Sequence, residues 1–256
     1  MFWDRIEPVV TDRVKAAVDD AYEVFSNYQM RAPLVFCDCN VCMTHEQARA
    51  LLSTPLRMIP QELLAEYTNS AHGYDRELIE TQFKYLLPRY LDLIADCKPP
   101  SHQDIETCLD RLGSAGYRTS WPAREVEVIG EFFDAFVEAN LVNLHLLKWP
   151  VGLRLEFDMI DVLVMVVRAS GDLERVLDVF DKAPDPEAAV HMASMRADVE
   201  NTDGRHLYRN AFLEDRPAEA AMIGEWLMRD SVTERIMEAA GLLDDPSYDG
   251  VLEMGL

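Results

Sequence analysis

Apolar residues recur at helical spacing near the start of the chain: Val14, Ala17, Val18, Ala21, Tyr22, Phe25 and Tyr28 share one stripe, while Asp12, Asp19, Asp20 and Glu23 fall off it. That pattern predicts a long amphipathic helix with one face turned to a core. It must end before Ala32-Pro33, because proline confines the residue ahead of it to extended backbone. Thr44, followed three residues on by Gln47, reads as a capping box opening a second helix that closes at Leu51 and Leu52. Thr54-Pro55 and Ile59-Pro60 then break the chain, and Pro60 suits the first turn of a short helix carrying Leu63, Leu64 and Tyr67. The next helix presents Leu78, Ile79, Gln82, Phe83 and Leu86 on one face. Its stripe resumes at Tyr90, Leu91 and Ile94 beyond Pro88, whose missing N–H predicts a kink or a restart.

Ser101 with Asp104 opens a further helix, expected to stop at Leu112-Gly113, where glycine accepts the left-handed conformation that ends helices. The stretch Gly113 to Tyr117 is the most linker-like in the chain. Ser120 precedes a long helix bearing Val126, Ile129, Phe133, Phe136, Val137 and Asn140, expected to run to about Leu147 before Trp149-Pro150 stops it. Phe157 to Val167 is the most apolar run, with only Asp158 and Asp161 charged. Its length between Gly152 and Ser170-Gly171-Asp172 favours a buried central helix over a strand. Further helix starts are read at Asp172, at Asp185-Pro186-Glu187, near Arg205 and at Ser231 with Glu234, and Arg216-Pro217 begins a segment ending near Met228. Since no period-2 alternation stands out, the expected class is all-α, with roughly ten to twelve helices in an irregular HEAT/ARM-like hairpin array or a compact helical bundle. Residues 1–256 are read as a single all-helical domain, with a subdivision into 1–113 and 117–256 at the linker-like stretch.

Composition supports a folded chain: 49% hydrophobic and 27% charged residues, with only 11 Gly and 13 Pro, is not a disordered or fibrous profile. Charge narrows the partners. The net charge is -22, and residues 1–128 carry 20 acidic against 13 basic side chains, whereas residues 129–256 carry 26 against 11. Such a surface repels phosphate backbones and anionic headgroups, so neither nucleic acid nor membrane is expected, and an acidic docking face in the second half would suit a basic protein partner. No apolar run approaches the roughly 20 residues needed to span a bilayer, and the charged start at Asp4, Arg5 and Glu7 leads into no signal-like run. Five cysteines, an odd number with three crowded together, fit reduced thiols or a metal better than a disulfide framework, which makes the cytoplasm the expected compartment.

The sharpest local chemistry is Cys37-Asp-Cys39-Asn-Val-Cys42-Met-Thr-His45. Four soft or borderline donors within nine residues suit zinc, which takes tetrahedral sulfur and nitrogen ligands; Cys37, Cys39 and Cys42 would bind with His45, or with Cys97 or Cys108, as the fourth. A structural role for the ion is expected over catalysis, since no general base stands beside the loop in sequence. Idle or core-packed thiols and a redox-sensing cluster are the alternatives.

The run Asp19-Asp20-Ala-Tyr-Glu23 resembles the acidic magnesium motif of terpene synthases, which would imply diphosphate chemistry. The second metal motif of such enzymes is missing, and a solvated helix face accounts for these three acids. Six histidines, His45, His72, His102, His145, His191 and His206, form no zinc-peptidase or di-iron pattern, and His145 reads as a core histidine. Phosphate-loop, nucleophile-elbow and dinucleotide motifs are absent. These readings favour a non-enzymatic interaction protein of adaptor, regulator or inhibitor type, with a zinc protein, metal-dependent enzyme or redox sensor centred on the cysteine loop as the alternative.

Overall fold

Helix α1 (Asp12–Val24) lies where the first apolar stripe places it, opened by Thr11, whose Oγ1 accepts from the Val14 N–H at 3.2 Å. The computed structural model describes residues 6–37, 39, 41–70, 76–144, 146–149, 152–155, 157–243 and 246–256. Helices dominate the described residues, so the class is all-α. The first half continues with α2 (His45–Ser53), α3 (Gln61–Asn69), α4 (Arg76–Ala95), α5 (Asp110–Ala115), α6 (Tyr117–Ser120) and α7 (Ala123–Asn140). Beyond them come α8 (Met159–Arg168), α9 (Leu173–Lys182), α10 (Pro186–Arg196), α11 (Pro217–Leu227), α12 (Asp230–Ala239) and α13 (Asp249–Met254). No helix among the described residues is long and apolar enough to cross a membrane.

Helix α8 is the hub. Eight of its ten residues are buried, as its predominantly apolar sequence requires, and it packs against α5, α7, α9, α10 and the 3-10 turn Ile105–Thr107. The most extensive helix contacts elsewhere join helices apart in sequence: α1 lies on α4 and α7, and α10 on α12 and α13. A stacked-hairpin array keeps contacts between adjacent repeats, so these pairings are those of a bundle. The buried residues of α1 include Ala17 and Ala21, small enough to let neighbouring helices close up. Ion pairs reinforce the same side. Arg13 of α1 pairs with Glu138 and lies 3.6 Å from Glu131, while Arg175 of α9 reaches Glu131 at 2.5 Å and Asp134 at 2.6 Å. The acidic edge of α7 is thus clasped by a guanidinium from each neighbour.

Several element expectations require correction. Two short antiparallel hairpins interrupt the helices. Strand β1 (Leu146–Trp149) pairs with β2 (Gly152–Leu155), so the helix expected to reach Leu147 ends at Asn140. Strand β3 (Val199–Thr202) pairs with β4 (Arg205–Tyr208), where a helix was expected near Arg205. The cause is the two-residue turn Asp203-Gly204. Both residues take positive φ, 53° and 79°, and the Gly204 N–H donates to Asn201 Oδ1 at 3.1 Å, a geometry that matches strand twist and starts a hairpin.

The glycines of residues 113–116 exchange the expected roles. Gly113 stays helical inside α5, where a Cβ would lie 2.1 Å from the Arg168 carbonyl oxygen, so its function is to let α5 touch the end of α8. Gly116, at φ 62°, is the left-handed stop. Pro88 neither ends nor restarts its helix, since α4 runs from Arg76 to Ala95 through it.

Candidate metal centre

The cysteine loop joins α1 to α2, and both of its ends are tied to the body of the protein. On the N-terminal side the anchor is Gln82 of α4, which is fully buried. Its Nε2 donates to the carbonyls of Arg31 at 2.9 Å and Pro33 at 2.8 Å, and its Oε1 accepts from the Val35 N–H at 3.1 Å. One carboxamide therefore satisfies three backbone groups of an irregular segment that has no ladder partner. Leu34 is buried beside it. At the other end, buried Met43 donates its N–H to Ser70 Oγ at 2.9 Å, and that hydroxyl donates to the Glu66 carbonyl at 2.9 Å. Thr44 then caps α2 with the capping box its spacing predicts: Thr44 Oγ1 accepts from the Gln47 N–H, and Gln47 Oε1 from the Thr44 N–H. Thr44→Ala is expected to cost about 1 kcal/mol, the usual worth of such a cap, measurable by thermal unfolding.

Between these anchors the sulfurs converge. The Sγ atoms of Cys37, Cys39 and Cys42 all lie within 4.8 Å of one another. Cys39 is exposed, Cys37 and Cys42 are half-buried, and Val41 projects from the tip with 91% of its surface exposed. The Val41 N–H donates to the Cys39 sulfur; this, with hydrogen bonds from the Cys37 and Cys42 thiols and the Cys42 N–H, holds the Cys39 pKa down to about 7. Cys37 is pushed up to about 11, first by its hydrogen bond to Cys39 and then by that to Cys42. The hydrogen bonds gathered on the Cys39 sulfur favour its thiolate form. Three thiolates 2.3 Å from a zinc ion would stand about 3.8 Å apart, so a modest closure brings all three onto one ion. The soft, all-sulfur donor set fits zinc or another thiophilic ion and does not fit magnesium or calcium.

The other proposed ligands sit differently. His45 opens α2 with its ring edge-on to Phe36, centroids 5.5 Å apart, and is not one of the converging set. Cys97 and Cys108 are buried thiols outside the cluster. Cys97 ends α4 in the left-handed conformation, with the Lys98 N–H donating to the Leu93 carbonyl at 2.8 Å, and burial pushes its thiol up to about 12. Burial also raises the Cys108 thiol well above its ordinary range. In the acidic run on α1, Asp19 pairs with Arg57 at 3.2 Å and Asp20 with Arg124 at 3.3 Å, all with side chains more than half exposed, which is a solvated helix face.

His191 is fully buried, and burial drives its pKa down to about 3, so the ring is neutral. His72 and His145 lie outside the described residues.

Gln82 and Ser70 are the loop-anchoring residues that local patterns miss. Gln82 appears in sequence only as a polar member of an apolar stripe, and that mismatch is the one signal it leaves. Comparison with protein-family models, curated proteins and solved structures gives no match to this chain.

Proposed function

We propose that this protein binds one zinc ion through Cys37, Cys39 and Cys42, and that the acidic helical bundle is the scaffold carrying this site. The convergence of three sulfurs on a loop tied down at both ends is the observation that supports the reading. Gln82 and Ser70 supply the outer support that metal loops need, since fixed loop ends lower the entropy lost when ligands close on an ion. Free thiols fit a reducing compartment such as the cytoplasm. Purified under reducing conditions without chelator, the protein is expected to carry about one equivalent of zinc, and the Cys39→Ser and Cys42→Ser variants none. A wild-type protein that carries no zinc, and takes none from a chromophoric chelator on titration, overturns the assignment.

A second reading, a non-enzymatic interaction protein, is favoured by the charge: net -22, with 26 acidic against 11 basic residues after residue 128. On this reading the acidic half docks a basic protein, and the complex weakens as salt screens the contact. A native pull-down that returns no basic partner at physiological salt counts against it.

A further inference from the structure

Resting on the zinc assignment above, we infer that the cysteine site is an open one, whose fourth coordination position takes a neutral nitrogen donor, an imidazole, from outside the chain. Zinc seeks four ligands, and closed structural sites obtain all four from the protein. Three sulfurs converge here among the described residues. The cluster faces solvent: Cys39 is exposed and Val41 stands out at the tip. Because Gln82 holds Arg31, Pro33 and Val35, and Ser70 holds Met43, the loop is not free to fold down and bury the ion. The two remaining cysteines are buried in the core, with Cys97 forming part of the stop of α4, so delivering either to the loop would unpack a helix end. His45 lies edge-on to Phe36 outside the converging set.

Charge selects the kind of donor. A zinc ion with three thiolates already carries one net negative charge. An external thiolate would make it two, on a chain whose own net charge is -22, whereas an imidazole adds none. The external ligand is therefore expected to be a histidine side chain of a partner or a small imidazole-bearing molecule. The ion would join the two by a single coordinate bond, rather than serve as a closed staple.

The test is optical titration of the cobalt(II)-loaded full-length protein with imidazole. A saturable change in the d–d bands, with the thiolate-to-cobalt charge-transfer band retained, is expected, along with a weaker response to 2-mercaptoethanol. His45→Gln should leave the imidazole-free spectrum unchanged. A spectrum insensitive to imidazole, or one altered by His45→Gln, overturns the open site while leaving metal binding intact. Failure of the protein to bind cobalt or zinc at all removes the metal assignment itself, and this inference with it. If the imidazole response is seen, titration with a histidine-containing peptide against free histidine distinguishes a macromolecular donor from a small one, and either result upholds the open position.

Discussion

Gln82→Ala is expected to lower stability by about 3 kcal/mol and the melting temperature by about 6–12 °C, and to weaken zinc binding by about tenfold or more. The stability loss has two sources. Truncating a fully buried side chain leaves a cavity, and three backbone groups lose their partner at once. The affinity loss arises separately, because freeing Arg31 to Val35 releases the chain immediately before Cys37, so closing the sulfurs on an ion must also order that segment. Gln82→Glu separates the two contributions: it restores the acceptor for Val35 but turns a carboxylate toward the Arg31 and Pro33 carbonyls, and should be at least as destabilising as alanine. Thermal unfolding of both metal-free variants, followed by competition with a zinc chelator, provides the measurement. A wild-type-like melting temperature in Gln82→Ala would show that the loop is held by other means.

The second large effect concerns pH and arises where the turn Ile105–Thr107 packs on α8. Glu106, in the turn Ile105–Thr107, and Asp161, in the first turn of α8, lie close enough to act on each other's titration, and Glu106 Oε2 is buried with no hydrogen-bond partner among the described residues. Two carboxyl groups share a hydrogen bond only if one keeps its proton. Burial first, then the neighbouring carboxylates Asp104 and Asp158, raise both pKa values. The last two are the caps of their own elements, accepting from the Ile105 and Ile160 N–H groups, each at 3.2 Å, and Tyr208 of β4 with Asp198 completes the surroundings. Among the described residues no Lys, Arg or His forms an ion pair with Glu106 or Asp161.

A folded pKa above the unfolded one means that this contribution is fully present below the unfolded carboxylate range and is lost as pH rises through the raised folded values. Glu106→Gln should weaken that dependence without removing it, since a carboxamide donates to Asp161 without needing a shared proton while burial and Asp158 still act on Asp161. The variant is expected to match the wild type near pH 4 and to exceed its stability by about 1–2 kcal/mol near pH 8, where the wild type must ionise a buried pair. Melting temperatures of both proteins across that range test it, and a difference that stays constant with pH would show that the pair holds no shared proton.

What could be read in advance was local. The capping box at Thr44, the helix starts at Asp172 and Asp185-Pro186, and the largely apolar α8 each depend on residues within one or two turns, and each stands where its spacing placed it. The three cysteines were legible for the same reason: six consecutive positions on one loop cannot lie far apart. The β3–β4 hairpin had its signal in Asp203-Gly204, but four-residue, largely exposed strands give almost no alternation to weigh against the helical context around them.

The sequence by itself therefore determined the helical class, the acidic surface and the grouping of Cys37, Cys39 and Cys42, because each follows from composition or from neighbours in the chain. Only the tertiary structure decided that Gln82, 47 residues from Val35, holds the loop. It also decided that Ser70 holds Met43, that Gly113 marks a helix contact while Gly116 makes the turn, and that Glu106 meets Asp161. The physical reason is common to all four. Each depends on which segments the packing around α8 brings together, and a buried polar group is recognised by the partner it meets in space, which no spacing along the chain records.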